Sequence, residues 1–141
     1  MATTSAICNS FKQEILVEGH NLTNGSDSIK LALYTSSATL GAGSTVYVTT
    51  GQASGTNYSA GGAALTNVTP ALSGSVAVCD FADLTFGTLT LTARSCLLYN
   101  STNSNKAICA IDFGADKTST AGDFTIVFPS ASSAAAIIRL A

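Results

Sequence analysis

From residue 62 to the C-terminus, short segments rich in β-branched and apolar residues alternate with clusters of turn-forming residues. The segments are GAALTNVTP, SVAVCDFADLTF, LTLTARSCLLYN, KAICAIDFG, DFTIVFP and AIIRLA. Breaks are predicted at Pro70, Ser73 and Gly74, Gly87, and the stretches 100–105, 114–122 and 129–133. Short strands that follow one another without intervening helices indicate antiparallel pairing. We therefore predict a mainly β fold, an antiparallel β-sandwich of the jelly-roll or immunoglobulin-like kind with about seven or eight strands.

The residues before this succession predict one helix and one further strand. In residues 5–18, apolar side chains recur at helical spacing and predict an amphipathic N-terminal helix; they are Ile7, Phe11 and Ile15. In residues 29–34, the alternation has period two, which predicts a strand with one buried face. Residues 35–62 show no clear periodicity and are interpreted as a long loop insertion. We expect a single domain, residues 1–141, with the helix at 5–18 and the sandwich at 28–141.

Charged residues make up only 10% of the chain, whereas about 25% is typical of a soluble domain. Ser and Thr together supply about a quarter of the residues. The net charge is −2, and 6 Lys and Arg are too few for the basic surface that nucleic acid phosphates require. No apolar run reaches the length of a membrane-spanning helix. We therefore expect no direct contact with nucleic acid or membrane, and a tendency to self-associate because little net charge opposes it.

Few side chains of the sequence are placed to do chemistry. His20 is the only histidine and stands at the predicted end of the helix, so a structural role is expected. Asp80 and Asp83 fall on opposite faces of a regular strand and are interpreted as turn or edge-strand residues rather than an acid–base pair. The acidic stretch 112–123 lacks the spacing of a calcium loop and contains Lys117. We therefore predict that the protein is not an enzyme, and that it has no catalytic, cofactor-binding or metal-binding residues.

The cysteines are widely spaced and contain no C-x-x-C pair. This pattern supports neither a zinc site nor a redox motif. Because cysteine is among the residues most often buried, the four are expected to be free thiols of the core, with a disulfide as the alternative. They are Cys8, Cys79, Cys96 and Cys109.

Residues 51–62, GQASGTNYSAGG, combine four glycines with one tyrosine and no charge. Phosphate binding is excluded, because a Walker loop needs a lysine after its glycines and none occurs between positions 31 and 105. Glycines also let backbone approach a neighbouring surface closely, and a tyrosine supplies a broad contact. We predict that this loop lies at a protein interface, a solvated structural loop being the alternative; for Phe11 the alternative is a place in the core. The predicted interface residues are Gly51, Gly55, Asn57, Tyr58, Gly61, Gly62, Tyr47 and Phe11.

A recurring pattern runs through nearly the whole chain: an N-terminal helix, an ALYT strand, a Gly-Tyr-x-x-Gly-Gly loop, an A-R…YN strand and a DFG…K-T-S…G-D-F pair. It is carried by Tyr58, Gly61 and Gly62, by Ala93, Arg94, Tyr99 and Asn100, and by Asp112, Phe113, Gly114, Lys117, Gly122, Asp123 and Phe124. In this pattern the chain resembles a family of small virion structural proteins of tailed bacteriophages. Asn57 stands where the loop of the family has its first glycine, and asparagine tolerates the left-handed conformation that such a position requires.

The resemblance implies a part of a virion made in the host cytoplasm, and it leaves open whether that part belongs to the head or the tail. The composition favours a capsid decoration (cement) protein on the capsid surface, with the major capsid protein and further copies of itself as partners. A tail or neck component is the first alternative. A module that binds host-surface carbohydrate is a weaker one, because exposed aromatic residues are expected there and the chain has no Trp and 4 Tyr.

Overall fold

The computed structural model describes residues 2–141, which form two antiparallel β-sheets. The strands are β1 Ala6–Ile7, β2 Ile29–Tyr34, β3 Ala63–Ala64, β4 Asn67–Ser73, β5 Val76–Phe81, β6 Leu84–Asn100, β7 Lys106–Ile126 and β8 Ile138–Leu140. The first sheet has the strand order β1-β7-β6-β2-β3, and the second has the order β4-β5-β8. One short helix, α1, spans Asn9–Glu14. The prediction of a mainly β, antiparallel fold with one N-terminal helix is confirmed.

The helix is shorter than the sequence pattern indicates. Ala6–Ile7 form a strand that pairs with the first part of β7, at Cys109 and Ala110, so the helix begins only after Cys8. It passes into a 3₁₀ turn at Ile15–Val17. The predicted range 5–18 was therefore too long, because pairing with β7 outweighs the weak helical preference of the first residues.

β2 is buried on both faces, although its alternating pattern predicted only one buried face. Five of its six residues are buried, and Lys30 alone is partly exposed. β2 lies between β6 and β3, and the 35–62 insertion lies against the face that carries Tyr34, whose hydroxyl donates to the Val48 carbonyl (2.6 Å). The second buried face therefore comes from the insertion, whose position the pattern of β2 does not reveal.

β6 and β7 form one long hairpin, which we call the ribbon. The sequence predicted strand breaks at Gly87 and at 114–122, and both predictions were wrong: the strands continue through these positions with shifts of register. The break predicted at Pro70 was wrong for the same reason, since β4 continues through it with a shift of register. Bulges absorb an extra residue and a left-handed conformation without ending a strand. Gly114, with φ of +83°, is one such position.

The ribbon is sharply bent. Thr88 and Ala121, one on each strand, both have positive φ, 49° and 48°. On β7, Phe113 and Phe124 lie on either side of Ala121, and their rings are 6.4 Å apart, whereas eleven residues of straight strand would separate them by about 36 Å. The bend places the open end of the hairpin, where β6 begins and β7 ends, against the hydrophobic core.

A single hydrophobic cluster joins the two sheets. Phe81 of β5 packs against Phe128, which follows β7, with 5.6 Å between ring centroids. The four cysteines are buried and free, so the prediction of core thiols is confirmed. Burial raises the pKa of the Cys8 and Cys79 thiols to about 11 and that of Cys96 to about 12.

Candidate functional site

The 35–62 insertion packs against the first sheet. Its backbone forms isolated bridges at three places: Tyr34 with Gln52, Val46 with Lys106, and Thr56 with Thr90. Three of its apolar side chains are buried in the core, namely Ala38, Leu40 and Ala53. The insertion is therefore part of the folded structure and not a projecting arm.

Two glycines let the loop 51–62 touch the sheet. A Cβ on Gly62 would overlap the carbonyl oxygen of Leu31 in β2, and a Cβ on Gly55 would overlap that of Thr90 in β6. Gly62 also has φ of +78°, in the left-handed region. The close approach that the glycines were expected to allow is therefore made to strands of this same chain.

Gln52 ties the glycine-rich loop together. Its Nε2 donates to the Tyr47 hydroxyl (2.9 Å), and its Oε1 accepts from the Gly61 N–H (2.8 Å) and the Tyr58 hydroxyl (3.2 Å). The Tyr58 hydroxyl in turn accepts from the Leu33 N–H (2.8 Å). Sequence reasoning missed Gln52. A usable signal was present, since Gln52 and Tyr58 are the only long side chains among small residues in this loop.

All four tyrosines of the chain fasten the insertion. Besides Tyr58, the Tyr34 hydroxyl donates to the Val48 carbonyl (2.6 Å), and the Tyr99 hydroxyl donates to the carbonyl of Gly61 (2.6 Å). The Tyr47 ring stacks on Tyr99 with 4.8 Å between centroids. The tyrosine side chains therefore fasten the insertion to β2 and β6 through contacts on its inward-facing side.

We expect the insertion to detach in alkali. Burial raises the pKa of Tyr58 and Tyr99 to about 12, and it raises that of Tyr34 as well. A raised folded-state pKa stabilises the fold fully below the unfolded value of about 10, and this stabilisation is lost as the pH rises from about 10 to about 12. Tyrosinate absorbance and circular dichroism, followed together, should show these tyrosines ionising as the structure is lost. Ionisation of Tyr34, Tyr58 and Tyr99 at about pH 10, while the protein remains fully folded, would contradict this prediction.

The other side of the loop faces solvent and has no charged residue. Its exposed residues, which we call the loop face, are Ser54, Gly55, Thr56, Asn57, Ser59 and Ala60. Of the predicted interface residues, Gly55 and Asn57 lie on the loop face, while Gly51, Gly62, Tyr47 and Tyr58 are half-buried and Gly61 and Phe11 are buried. Asn57 has φ of +66°, and its Nδ2 donates to the Thr88 carbonyl (2.8 Å). The asparagine thus accepts the left-handed conformation and joins the loop face to the ribbon.

The ribbon adds ordered hydroxyl groups beside the loop face. Thr92 and Thr118 lie directly opposite each other on its two strands, and their hydroxyl oxygens are 2.8 Å apart. Thr85 and Thr125 form a second such pair at 2.9 Å. Cross-strand hydroxyl pairs hold their side chains in fixed rotamers, so these groups are pre-ordered on an exposed surface.

Several large aliphatic side chains are exposed. The most exposed are Leu16 (83%), Leu72 (75%), Val127 (73%), Val17 (64%) and Leu140 (54%). Leu72 and Leu140 pair with Ala77 from its two sides in the second sheet, so all three share one face of it. A groove of about 640 Å³ is lined by Ala77 and Leu140 and also by Ile15 and Leu22.

Phe11 lies in the core of the folded chain. It is 1% exposed and packs against the His20 ring with 4.8 Å between centroids. Of the two roles considered for it, the buried position favours the core. Ile15, one turn later, is only partly buried.

Replacing Phe11 by alanine is expected to lower the free energy of unfolding by about 3 kcal/mol, because it removes a buried ring and leaves a cavity. Urea unfolding measures this. Leu16→Ala, at an 83% exposed position in the following 3₁₀ turn, is the control and should change stability by less than about 0.5 kcal/mol. A folded Phe11→Ala protein with unchanged stability would place Phe11 outside the core.

His20 belongs to a buried polar cluster. Its side chain is 0% exposed, and its Nε2 lies 2.9 Å from Glu14 Oε1. On the other side, Asn100 Nδ2 lies 3.1 Å from His20 Nδ1 and donates to Asp27 Oδ2 (2.6 Å). Asn100 Oδ1 accepts two backbone N–H groups, from residues 102 and 103, which fixes the amide orientation. His20 Nδ1 must therefore accept and Nε2 must donate to Glu14, so that both ring nitrogens are hydrogen-bonded to side chains of this chain and not to helix carbonyls.

Asp80 and Asp83 do not form an acid–base pair. Asp83 lies in the turn before β6, and its Oδ1 accepts from the Phe128 N–H (2.8 Å). Asp80 lies in the middle strand of the second sheet and is 1% exposed, so its interpretation as a turn or edge residue was wrong. Burial raises the pKa of its carboxyl group, and its Oδ2 has no hydrogen-bond partner within residues 2–141.

The acidic stretch 112–123 forms part of β7. Asp112 Oδ1 accepts from the Gly114 N–H (3.1 Å) and lies 3.1 Å from Arg94 Nε. These two donors hold the pKa of Asp112 below its usual value, the Gly114 N–H acting more strongly. Residues 2–141 contain no group of three His, Cys, Asp or Glu side chains arranged to hold a metal ion. Among the same residues, no helix has the length and apolar character needed to cross a bilayer.

Comparison of the chain with protein families, with curated proteins and with solved structures found no match. What the fold itself defines is a protein of two antiparallel β-sheets, in which a long insertion is fastened to the first sheet and keeps one uncharged face exposed.

Proposed function

We propose that this protein is a capsid decoration protein of a tailed bacteriophage. It binds the major capsid protein and neighbouring copies of itself on the outer surface of the shell, and it works by binding rather than by catalysis. The observation that carries the proposal is the exposed surface: Leu72 (75%) and Leu140 (54%) flank Ala77 on one face of the second sheet, and the loop face carries no charge. Exposed apolar groups of this kind suit protein contacts. The sequence resemblance supports the same class.

The scarcity of charge suits a repeated assembly. In a shell, every copy meets identical neighbours, so that any charge at a contact recurs at each equivalent contact. Hydroxyl and backbone groups, such as those of Ser54 and Thr56, pair across an interface without long-range repulsion. A specific interface typically buries about 1,600 Å² in total, and a protein that bridges several subunits gains avidity from contacts that are weak singly. Low charge and many hydroxyl groups are therefore consistent with a shell component.

Quantitative mass spectrometry of purified particles tests this proposal. We expect the protein to be present in hundreds of copies, in a fixed ratio to the major capsid protein. About six or twelve copies would support the alternative, a ring in the tail or neck. Absence from particles that the same host cell produces would reject both.

A further inference from the structure

The C-terminal strand β8 is joined to the rest of the fold by a linker of small residues. The linker, residues 129–136, has the sequence PSASSAAA, and six of its eight residues are exposed. Within residues 2–141, one hydrogen bond joins the linker to a part of the fold other than β8, from the Ser133 N–H to Ser73 Oγ (3.0 Å). The linker itself therefore does little to keep β8 in place.

β8 fills a slot along one edge of β5. Three residue pairs define its register: Ala77 opposite Leu140, Val78 opposite Arg139, and Cys79 opposite Ile138. Ile138 is 6% exposed and belongs to the core. An empty slot would leave an open strand edge and uncovered apolar side chains. The slot thus requires a strand of this sequence, but nothing in the pairing requires that the strand come from the same chain.

Exchange of β8 between two copies keeps all these contacts, because the same residues pair in the same register. The balance between the closed and the exchanged form then depends on concentration. A short linker gives its own strand an effective concentration of the order of 1 mM at the slot. The closed monomer is therefore favoured in dilute solution, and exchange becomes favourable where the local concentration of copies exceeds this effective concentration.

We propose that copies of this protein exchange their C-terminal strands, so that β8 of one copy fills the slot beside β5 of a second copy. Reciprocal exchange gives a closed dimer, and exchange passed from copy to copy links a row or ring. The use of this exchange in a shell rests on the proposed function, since a capsid would hold the copies close together. The exchange itself is a property of the purified chain.

A disulfide between the slot and the strand reports which chain supplies β8. Ala77→Cys and Leu140→Cys, combined, place two thiols at directly opposed positions, where Cα atoms lie about 4.5–5.5 Å apart, within the range that a disulfide spans. Leu140 is 54% exposed, so the second substitution disturbs little. The reduced protein is equilibrated at concentrations from about 10 μM to about 1 mM, then oxidised and separated on a non-reducing gel.

We expect disulfide-closed monomers at the lowest concentration, and covalent dimers and larger species that increase at least about tenfold towards 1 mM. Closed monomers alone at every concentration would overturn the proposal. Leu140→Cys by itself is the control for disulfides between exposed thiols on separate molecules. Ile138→Cys, which faces the native Cys79, repeats the test at an independent pair.

Shortening the linker provides a second measurement. Deletion of residues 130–135 hinders β8 from reaching its own slot and lowers its effective concentration there. Dimers should then form at lower protein concentration, and an unchanged concentration dependence would count against exchange. Because none of these experiments uses capsids, they are independent of the proposed function. A chain that exchanges strands but is absent from particles would reject the function and keep this inference.

Discussion

Replacing Gly62 by alanine is expected to lower the free energy of unfolding by about 4 kcal/mol. The added Cβ would overlap the carbonyl oxygen of Leu31, so that the loop must move away from β2. Such a movement also strains the contacts beside it, where the Tyr99 hydroxyl donates to the Gly61 carbonyl. Urea unfolding followed by circular dichroism measures the loss.

Gly25→Ala is the matched control for Gly62→Ala. Gly25 has a similar φ of +85°, but nothing lies within 4 Å of the position its Cβ would take. Gly25→Ala should therefore lower the free energy of unfolding only by the cost of a left-handed alanine, about 1–2 kcal/mol. Equal losses at the two glycines would mean that close packing of the loop on β2 contributes nothing, and that the loop is looser than described.

Replacing Asn100 by aspartate is also expected to cost about 4 kcal/mol, because it breaks a buried polar network. The substitution puts a carboxylate oxygen where Nδ2 now donates to Asp27 Oδ2 at 2.6 Å. Two carboxylates would then face each other, that of residue 100 at a position that is 0% exposed and that of Asp27 half-buried. His20 Nδ1 would lose its donor as well.

The loss at Asn100→Asp should shrink in acid, because protonation of one of the two facing carboxyl groups removes the repulsion and restores a donor. Unfolding in urea at neutral and at acidic pH tests this. Asn57→Asp is the control, since Asn57 also donates from Nδ2, to the Thr88 carbonyl, but is exposed. It should cost about 1 kcal/mol. An Asn100→Asp protein as stable as the Asn57→Asp protein would show that the cluster around His20 is not a stabilising unit.

Much of the fold could be predicted from local pattern. Alternation and turn residues such as Ser73 and Gly74 mark real strand ends, because β4 and β5 do meet there. The same reasoning failed at 114–122. A glycine at a bulge and a glycine in a turn have the same local signature, and only pairing with a neighbouring strand decides between them. Ile7 illustrates the same limit, since its helical spacing was overruled by pairing with β7.

The candidate site was predictable only in part. The sequence indicated that the glycines of residues 51–62 allow a close approach, but it could not indicate that the surface approached is β2 of the same chain. Gln52 acts through three partners that lie between five and nine residues away in a loop without periodicity, so no repeat or motif marks it. The exposed residues of the loop face could be recognised only once the inward-facing tyrosines were known.

The most direct test of the central claim, that the uncharged loop face binds other protein surfaces, is co-sedimentation of the purified protein with capsids that lack it. Ser54→Glu adds one charge to the loop face, and Ser26→Glu adds one at an exposed position of a separate turn. We predict saturable binding of the unmodified protein and of Ser26→Glu, with binding of Ser54→Glu weaker by about tenfold or more, because the charge is repeated at every contact. Equal binding of all three proteins, or no binding by the unmodified one, would contradict the account.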